Sequence, residues 1–364
     1  MTFVPGLELS RRFHADVVGP LLARSFPGLP YAAGRLDSGS ELLGYDTPRS
    51  TDHDWGLRLQ VFLHPADAPR AADLLAAVDA GLPATFLGRP TRFTGTPTTG
   101  LGVAAHDGDR HGVDVTTAAE FWAGRLGFDP RAGVRPLDWL ATPTQRLAEV
   151  TGGAVYHDGL GGALTTARAA LAWYPDDVWR YVLAAQWARV GQEEHLAGRA
   201  AEVGDGTGSA VLAARLVRDL MRLCLLLGRR YPPYGKWLGT AFAGLPGIAD
   251  VAAAVAAALS APDWPAREEA LCRAYELVAG RTNAVGLAPP VDPGVRGFHD
   301  RPFRVLDAGR LARALRSAIA DPWLRALPQV GAVDQWADST DALVAPPAAL
   351  RAACVALLGV PNDR

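Results

Sequence analysis

The sequence predicts an α+β protein, with a small mixed sheet backed by helices over residues 1–140 and an all-α domain over residues 141–364. Three observations carry this reading. At 364 residues the chain exceeds one ordinary core and suits two. As far as residue 136, short apolar runs of strand character alternate with stretches of helical spacing. After Pro136 the strand signal fades and helical periodicity dominates.

The elements follow in order. Residues 9–26 place apolar side chains at helical spacing and stop at Pro27-Gly28. Residues 31–36 form a short apolar run, as a buried strand requires. They lead into the turn Asp37-Ser38-Gly39-Ser40, where Ser40 can start a helix. Residues 53–63, HDWGLRLQVFL, alternate as a half-buried strand does. A helix is expected over 66–80, then short strands and turns in the Gly/Pro/Thr-rich stretch 83–99. A strand over 111–115 and a helix around Phe121-Trp122 follow. Thr142-Pro143-Thr144 opens the helical part, with proline near the first turn. Further helices are expected over 163–173, 176–189, 209–227, 248–259, 267–279, 306–320 and 348–358. Trp173, Trp179, Trp187, Trp237 and Trp264 would fill the gaps between them.

Composition narrows the class. Apolar residues at 49% and charged residues at 20% describe a globular chain and exclude a disordered one. A net charge of −2 gives no general affinity for nucleic acid or a membrane surface, though a local basic cleft stays open. Cys224, Cys272 and Cys354 form no CxxC pair and read as buried thiols of a reducing compartment. The start MTFVPGLELSRRFH has no apolar h-region, and the Ala-rich run 251–259 is too short to span a bilayer. A cytoplasmic protein without membrane association is expected. Among the 36 basic residues only Lys236 is a lysine, so a compact ammonium is expected to matter there.

The chemistry concentrates between residues 39 and 54. If residues 52–54 lie on a strand, Asp52 and Asp54 project from the same face. Adjacent carboxylates repel one another unless a cation neutralises them, and magnesium accepts a few carboxylates together with phosphate oxygens. His53, on the opposite face, reads as structural. Gly39-Ser40 offers backbone N–H groups and a hydroxyl to a phosphate, and Arg49 and Ser50 could reach one or serve as surface or capping residues. A phosphate cradle beside a metal pair implies phosphoryl or nucleotidyl transfer. Asp114, between Val113 and Val115, is a third strand acid that could share a second metal if its strand lies beside the first.

Gly39-Ser40, a spacer, Asp52-x-Asp54 and Val-Asp114-Val resemble the polymerase-beta-like nucleotidyltransferases, in the branch of aminoglycoside and minimal nucleotidyltransferases. The resemblance covers the first third of the chain. It implies a nucleotidyltransferase fold, two Mg2+ ions and an NTP donor, by default ATP. It assigns Gly39 and Ser40 to the triphosphate turn and Asp52, Asp54 and Asp114 to the metals. The helical remainder resembles the C-terminal half of uncharacterised bacterial nucleotidyltransferase-like proteins in the stretches around Gln192–His195, Arg215–Arg218 and Tyr231–Trp237. The resemblance to aminoglycoside nucleotidyltransferases, whose helical domain supplies a glutamate base and a phosphate-contacting lysine, implies a general base at Glu193 or Glu194 and a phosphate ligand at Lys236. Arg215, Arg218 and Arg222 read as a basic stripe or as salt-bridge partners, and Tyr231 and Tyr234 as packing or stacking residues.

The expected reaction moves NMP to an acceptor hydroxyl or phosphate on a small molecule or protein, favoured over RNA by the absence of net positive charge. Two rivals stand beside it. Arg189 and His195 have a spacing seen in helical ribonuclease domains. A nucleotide-binding protein without turnover is the other.

Overall fold

A computed structural model describes residues 3–94 and 108–361 of the chain. The protein is α+β, with a small mixed sheet and a helical C-terminal region. It divides into two compact units, Met1–Val134 with Arg146–Ala172, and Arg135–Gln145 with Trp173–Arg364. Where one division near residue 140 was expected, two segments cross over.

The first unit opens with α1 (Gly6–Phe13), a π-helical turn (His14–Val18) and α2 (Gly19–Ser25). Pro20 has no N–H to give the carbonyl four residues back, and the register slips one residue, with the Gly19 N–H bonded to His14 O. Strand β1 (Tyr31–Arg35) follows, then single 3-10 turns at Ser40–Leu43 and Pro48–Asp52. Next come β2 (Arg58–Leu63), a 3-10 turn (Pro65–Arg70) and α3 (Ala71–Gly81). Two-residue strands β3 (Thr85–Phe86), β4 (Arg89–Pro90) and β5 (Arg92–Phe93) precede β6 (Arg110–Thr117) and α4 (Ala118–Leu126). Positions 95–99 of the expected turn-rich stretch lie outside the described residues.

Chain order then runs through α5 (Pro136–Ala141) of the second unit, α6 (Thr144–Gly152), β7 (Ala154–Asp158) and α7 (Ala163–Ala170). Strand β7 explains the crossover. It pairs antiparallel with β1 and completes a five-stranded sheet in the order β5-β6-β2-β1-β7, whose β2–β6 pair is parallel. Every residue of β2 is buried, so this strand lies at the middle of the unit rather than on a half-solvated face. Leu9, Phe13, Val18 and Leu22 pack with Leu59, Val61 and Leu63 of β2, Leu74 and Val78 of α3, and Val113 of β6. Each such side chain contributes roughly 1.5–3 kcal/mol by leaving water.

The second unit is built on α8 (Asp176–Glu193), α9 (Leu196–Glu202), α10 (Gly206–Leu227), α11 (Gly235–Ala243), α12 (Ala249–Ser260) and α13 (Trp264–Val285). A two-stranded ribbon of β8 (Arg296–Gly297) and β9 (Arg304–Val305) leads to α14 (Gly309–Ser317). Shorter helices and α18 (Pro347–Leu358) complete it. Helix α8 is buried nearly all round, the mark of a central helix. Its Trp179 and Trp187 fill the core as expected and donate to Leu226 O (3.0 Å) and Thr282 Oγ1 (3.1 Å). Trp173, Trp237 and Trp264 are only half-buried. Asp205 and Asp263 cap α10 and α13 through Gly208 N and Ala266 N. The three cysteines are free and buried, and no helix among the described residues is long and apolar enough to cross a membrane.

Candidate functional site

The turn after β1 is held from beneath by two guanidinium groups. Arg35 is fully buried, and its Nε and Nη2 donate to Glu41 Oε1 at 3.1 and 2.8 Å. Its Nη2 also donates to the Ser38 carbonyl. Arg58, the first residue of β2, donates from Nη1 to that carbonyl (3.0 Å) and to Asp54 O (2.8 Å), while its Nη2 lies 3.4 Å from Asp37 Oδ2. Burial, then the like charge of Arg35, lowers the Arg58 guanidinium to about 10, against the pull of Asp37, Glu41 and Asp54. Asp37 is further flanked by Arg125 at 3.4 Å, which also pairs with Glu149.

Gly39 fits this turn because nothing else does. Its φ is +141°, and a Cβ there would fall 2.2 Å from Glu41 Oε2. The helix that begins at Ser40 is a single 3-10 turn, shorter than expected. The half-buried Ser40 hydroxyl has no hydrogen-bond partner among the described residues.

Asp114 lies on β6 directly opposite Gln60 of β2, so the strand expected around it pairs in parallel with the one after the acid pair. Its side chain keeps solvent contact on one side, while the protein on the other withholds solvation. That desolvation, then the like charge of Asp37, raises its carboxyl above the ordinary range; Arg58, Arg35 and Gln60 offset part of the rise. Asp37, Asp54 and Asp114 therefore share the electrostatic neighbourhood of Arg58, beside the Gly39-Ser40 turn.

The expected pairing of Asp52 with Asp54 along a strand is corrected. Asp52 ends a 3-10 turn, Asp54 adopts φ +49°, and β2 begins only at Arg58. The cause is a tether the local pattern does not show. The Asp46 carboxylate accepts from Trp55 Nε1 (2.9 Å) and from Gly6 N (2.7 Å), and buries the indole against Phe3. The chain turns through Asp54 and Gly56 (φ +142°) to reach β2. Asp52 and His53 are both exposed, with His53 Nδ1 3.0 Å from Asp52 Oδ1, so His53 has no structural role in the core. The Asp54 carboxylate has no hydrogen-bond partner among the described residues. Ser50 and Thr47 form a reciprocal cap of the 3-10 turn, and Arg49 is exposed on it.

The helical-unit candidates stand as follows. Glu193 pairs with Arg215, Nη2 to Oε1 at 2.5 Å. The buried Glu194 carboxylate accepts from the N–H groups of Leu306 (2.7 Å), Asp307 (3.1 Å) and Ala308 (2.9 Å) at the approach to α14. Desolvation raises it to about 7 in spite of those bonds. Arg218 pairs with Asp338 at 2.6 Å and the buried Arg222 donates to Asp334 O at 2.8 Å, which is the salt-bridge reading of that stripe. Tyr231 packs among Trp173 and Tyr174, while Lys236 is exposed in α11 with Nζ 5.0 Å from the Trp237 ring. Arg189 is engaged by Asp219 (3.0 Å) and Gln335 O (3.0 Å), whereas His195 stacks on Phe298 at 4.9 Å. The two residues of the nuclease spacing thus serve separate surroundings.

Residues 139–238 match the family described as a domain of unknown function, DUF4037. The match covers part of the helical unit and the segment before it. No curated protein matches the chain, and no solved structure does.

Arg35, Asp37, Glu41, Arg58 and Arg125 were missing from the sequence reading. One signal existed. Arg58 and Gln60 interrupt an otherwise apolar strand, and a charged residue inside such a run needs a buried partner.

Proposed function

We propose that the chain is a metal-dependent nucleotidyltransferase, moving NMP from an NTP, by default ATP, to a hydroxyl or phosphate of a small molecule or protein. The observation that carries this is that Asp37, Asp54 and Asp114 each interact electrostatically with Arg58, which holds the Ser38 carbonyl beside the Gly39-Ser40 turn. The donor chemistry suits Mg2+. Asp54 has no hydrogen-bond partner among the described residues, and Asp114 is raised first by desolvation and then by the like charge of Asp37, both of which a cation offsets. Asp54 and Asp114 would hold the metals, with the exposed Asp52 joining them once a triphosphate is present. Bound Mg2+ supplies charge neutralisation at the triphosphate and the leaving pyrophosphate.

The chain's own groups account for the remainder. Ser40 donates its hydroxyl to a phosphate oxygen, and the backbone beside Gly39 allows close approach because no Cβ intervenes. Arg35 and Arg58 fix the Ser38 carbonyl and with it the turn. The acceptor oxygen attacks the α-phosphorus, the bond to the bridging oxygen breaks, and pyrophosphate departs. The acceptor's proton passes to solvent, which reaches the site on the open side of Asp114. A net charge of −2 supports a small-molecule or protein acceptor over RNA.

A second reading, nucleotide binding without turnover, is favoured by one observation. Among the described residues no three His, Cys, Asp or Glu side chains converge as a ready metal cage. Incubating α-labelled NTPs with the protein and a cell extract separates the two. Label carried to an acceptor by wild type and lost in Asp54→Ala supports transfer. Saturable NTP binding with no label transferred supports the second reading.

A further inference from the structure

We propose that the helical unit carries a separate binding site for a small oxyanion, a carboxylate or phosphate ester, in the cavity walled by His195, Arg296, His299 and Arg313. The cavity measures about 640 Å³, within the range of small-molecule sites, and it lies between α8, the β8–β9 ribbon and α14. This inference is independent of the nucleotidyltransferase reading.

The cavity's two acids are more fully engaged than its cations. Glu194 is bonded to three backbone N–H groups, and Asp307 pairs with Arg310 at 3.3 Å. Arg313 has no carboxylate or carbonyl partner among the described residues. Its guanidinium folds back over the start of α14, where a Cβ on Gly309 would stand 3.1 Å from Nη1. Arg296 adds an independent sign. Nη2 is held by Asp292 at 3.0 Å, but Nε is buried without a partner. The two imidazoles are set by one ring, since Phe298 stacks on His195 at 4.9 Å and meets His299 edge-on at 4.6 Å. Burial, then Arg199 and His299, holds His195 below its ordinary range. His299 and Asp307 both adopt positive φ, +54° and +59°, so strained backbone brackets the site.

Calorimetric titration of the full-length protein with inorganic phosphate and, separately, citrate tests this, using two variants. Arg313→Ala removes the exposed, unpaired cation. Gly297→Phe fills the cavity from β8, where an added Cβ meets nothing within 4 Å. Saturable binding of one anion per chain, weakened roughly tenfold or more by both variants while thermal unfolding of the free protein is unchanged, is the expected result. Whether phosphate or citrate is the tighter ligand distinguishes a phosphate ester from a carboxylate. No binding of either up to about 10 mM, or binding that both variants leave intact, overturns the proposal.

Discussion

Glu41→Gln probes the foundation of the candidate site. The Arg35 and Glu41 side chains are 0% and 4% exposed, and two bonds at 2.8 and 3.1 Å join them. Neutralising Glu41 removes the carboxylate charge bonded to the buried guanidinium and leaves it only neutral acceptors, the new amide oxygen and the Ser38 carbonyl. Breaking a buried pair from one side costs about 3–5 kcal/mol, a large share of the roughly 5–15 kcal/mol that holds a domain together. The pair is itself incompletely satisfied, because Arg35 Nη1 and Glu41 Oε2 are buried without partners. The double variant Arg35→Met/Glu41→Leu is therefore expected to recover most of the loss. Hydrogen exchange at the β1 and β2 amides, read through a urea series, isolates this unit from the helical one. A loss under about 1 kcal/mol in Glu41→Gln, or a double variant no better than the single one, would refute the reasoning.

Other outcomes follow from the same geometry. Gly39→Ala should cost about 1–3 kcal/mol by displacing the Glu41 carboxylate and straining a backbone at φ +141°, measured as a shift in urea midpoint. Glu194 gives a pH signature. Its folded value of about 7 stands above the ordinary carboxyl value of 4.5, so its contribution is complete below pH 4.5 and is lost as pH rises through 7. Unfolding free energy should fall by about 3 kcal/mol across that window relative to Glu194→Gln. A parallel pH profile in the two proteins would contradict it. Asp334→Ala removes the buried acceptor of Thr144 N (2.8 Å) and Thr144 Oγ1 (3.0 Å), leaving Arg222 buried beside it. A loss of about 3–5 kcal/mol in thermal or urea unfolding is expected.

Much of the scaffold was legible because it depends on local pattern. The runs ending at Arg35 and Leu63, and the acid flanked by Val113 and Val115, announced β1, β2 and β6 through apolar spacing alone. Helices α8, α10, α12, α13 and α14 were equally open to periodicity, whereas the shorter α9 and α11 were not expected from it. What stayed hidden depends on partners distant in the chain. Asp54 leaves the strand because Asp46 ties Trp55 to Gly6, a contact across 40 residues. Glu194 looks like half of a solvated glutamate pair until Leu306 to Ala308 arrive to be capped. Arg35 and Glu41 carry no mark of their pairing in the sequence, which does not show that each is buried by the other. Strand β7 returns to the sheet after a helix, a placement that only pairing with β1 decides.

The central claim is that Asp54 and Asp114 gather divalent cations at the Gly39-Ser40 turn to hold a triphosphate. Isothermal titration of ATP, with and without magnesium, into wild type, Asp54→Asn and Asp114→Asn tests it most directly. Binding in wild type that requires magnesium, and that either variant weakens by about a hundredfold or more, is the predicted result. ATP binding of equal strength with and without magnesium, or unchanged in both variants, would contradict it.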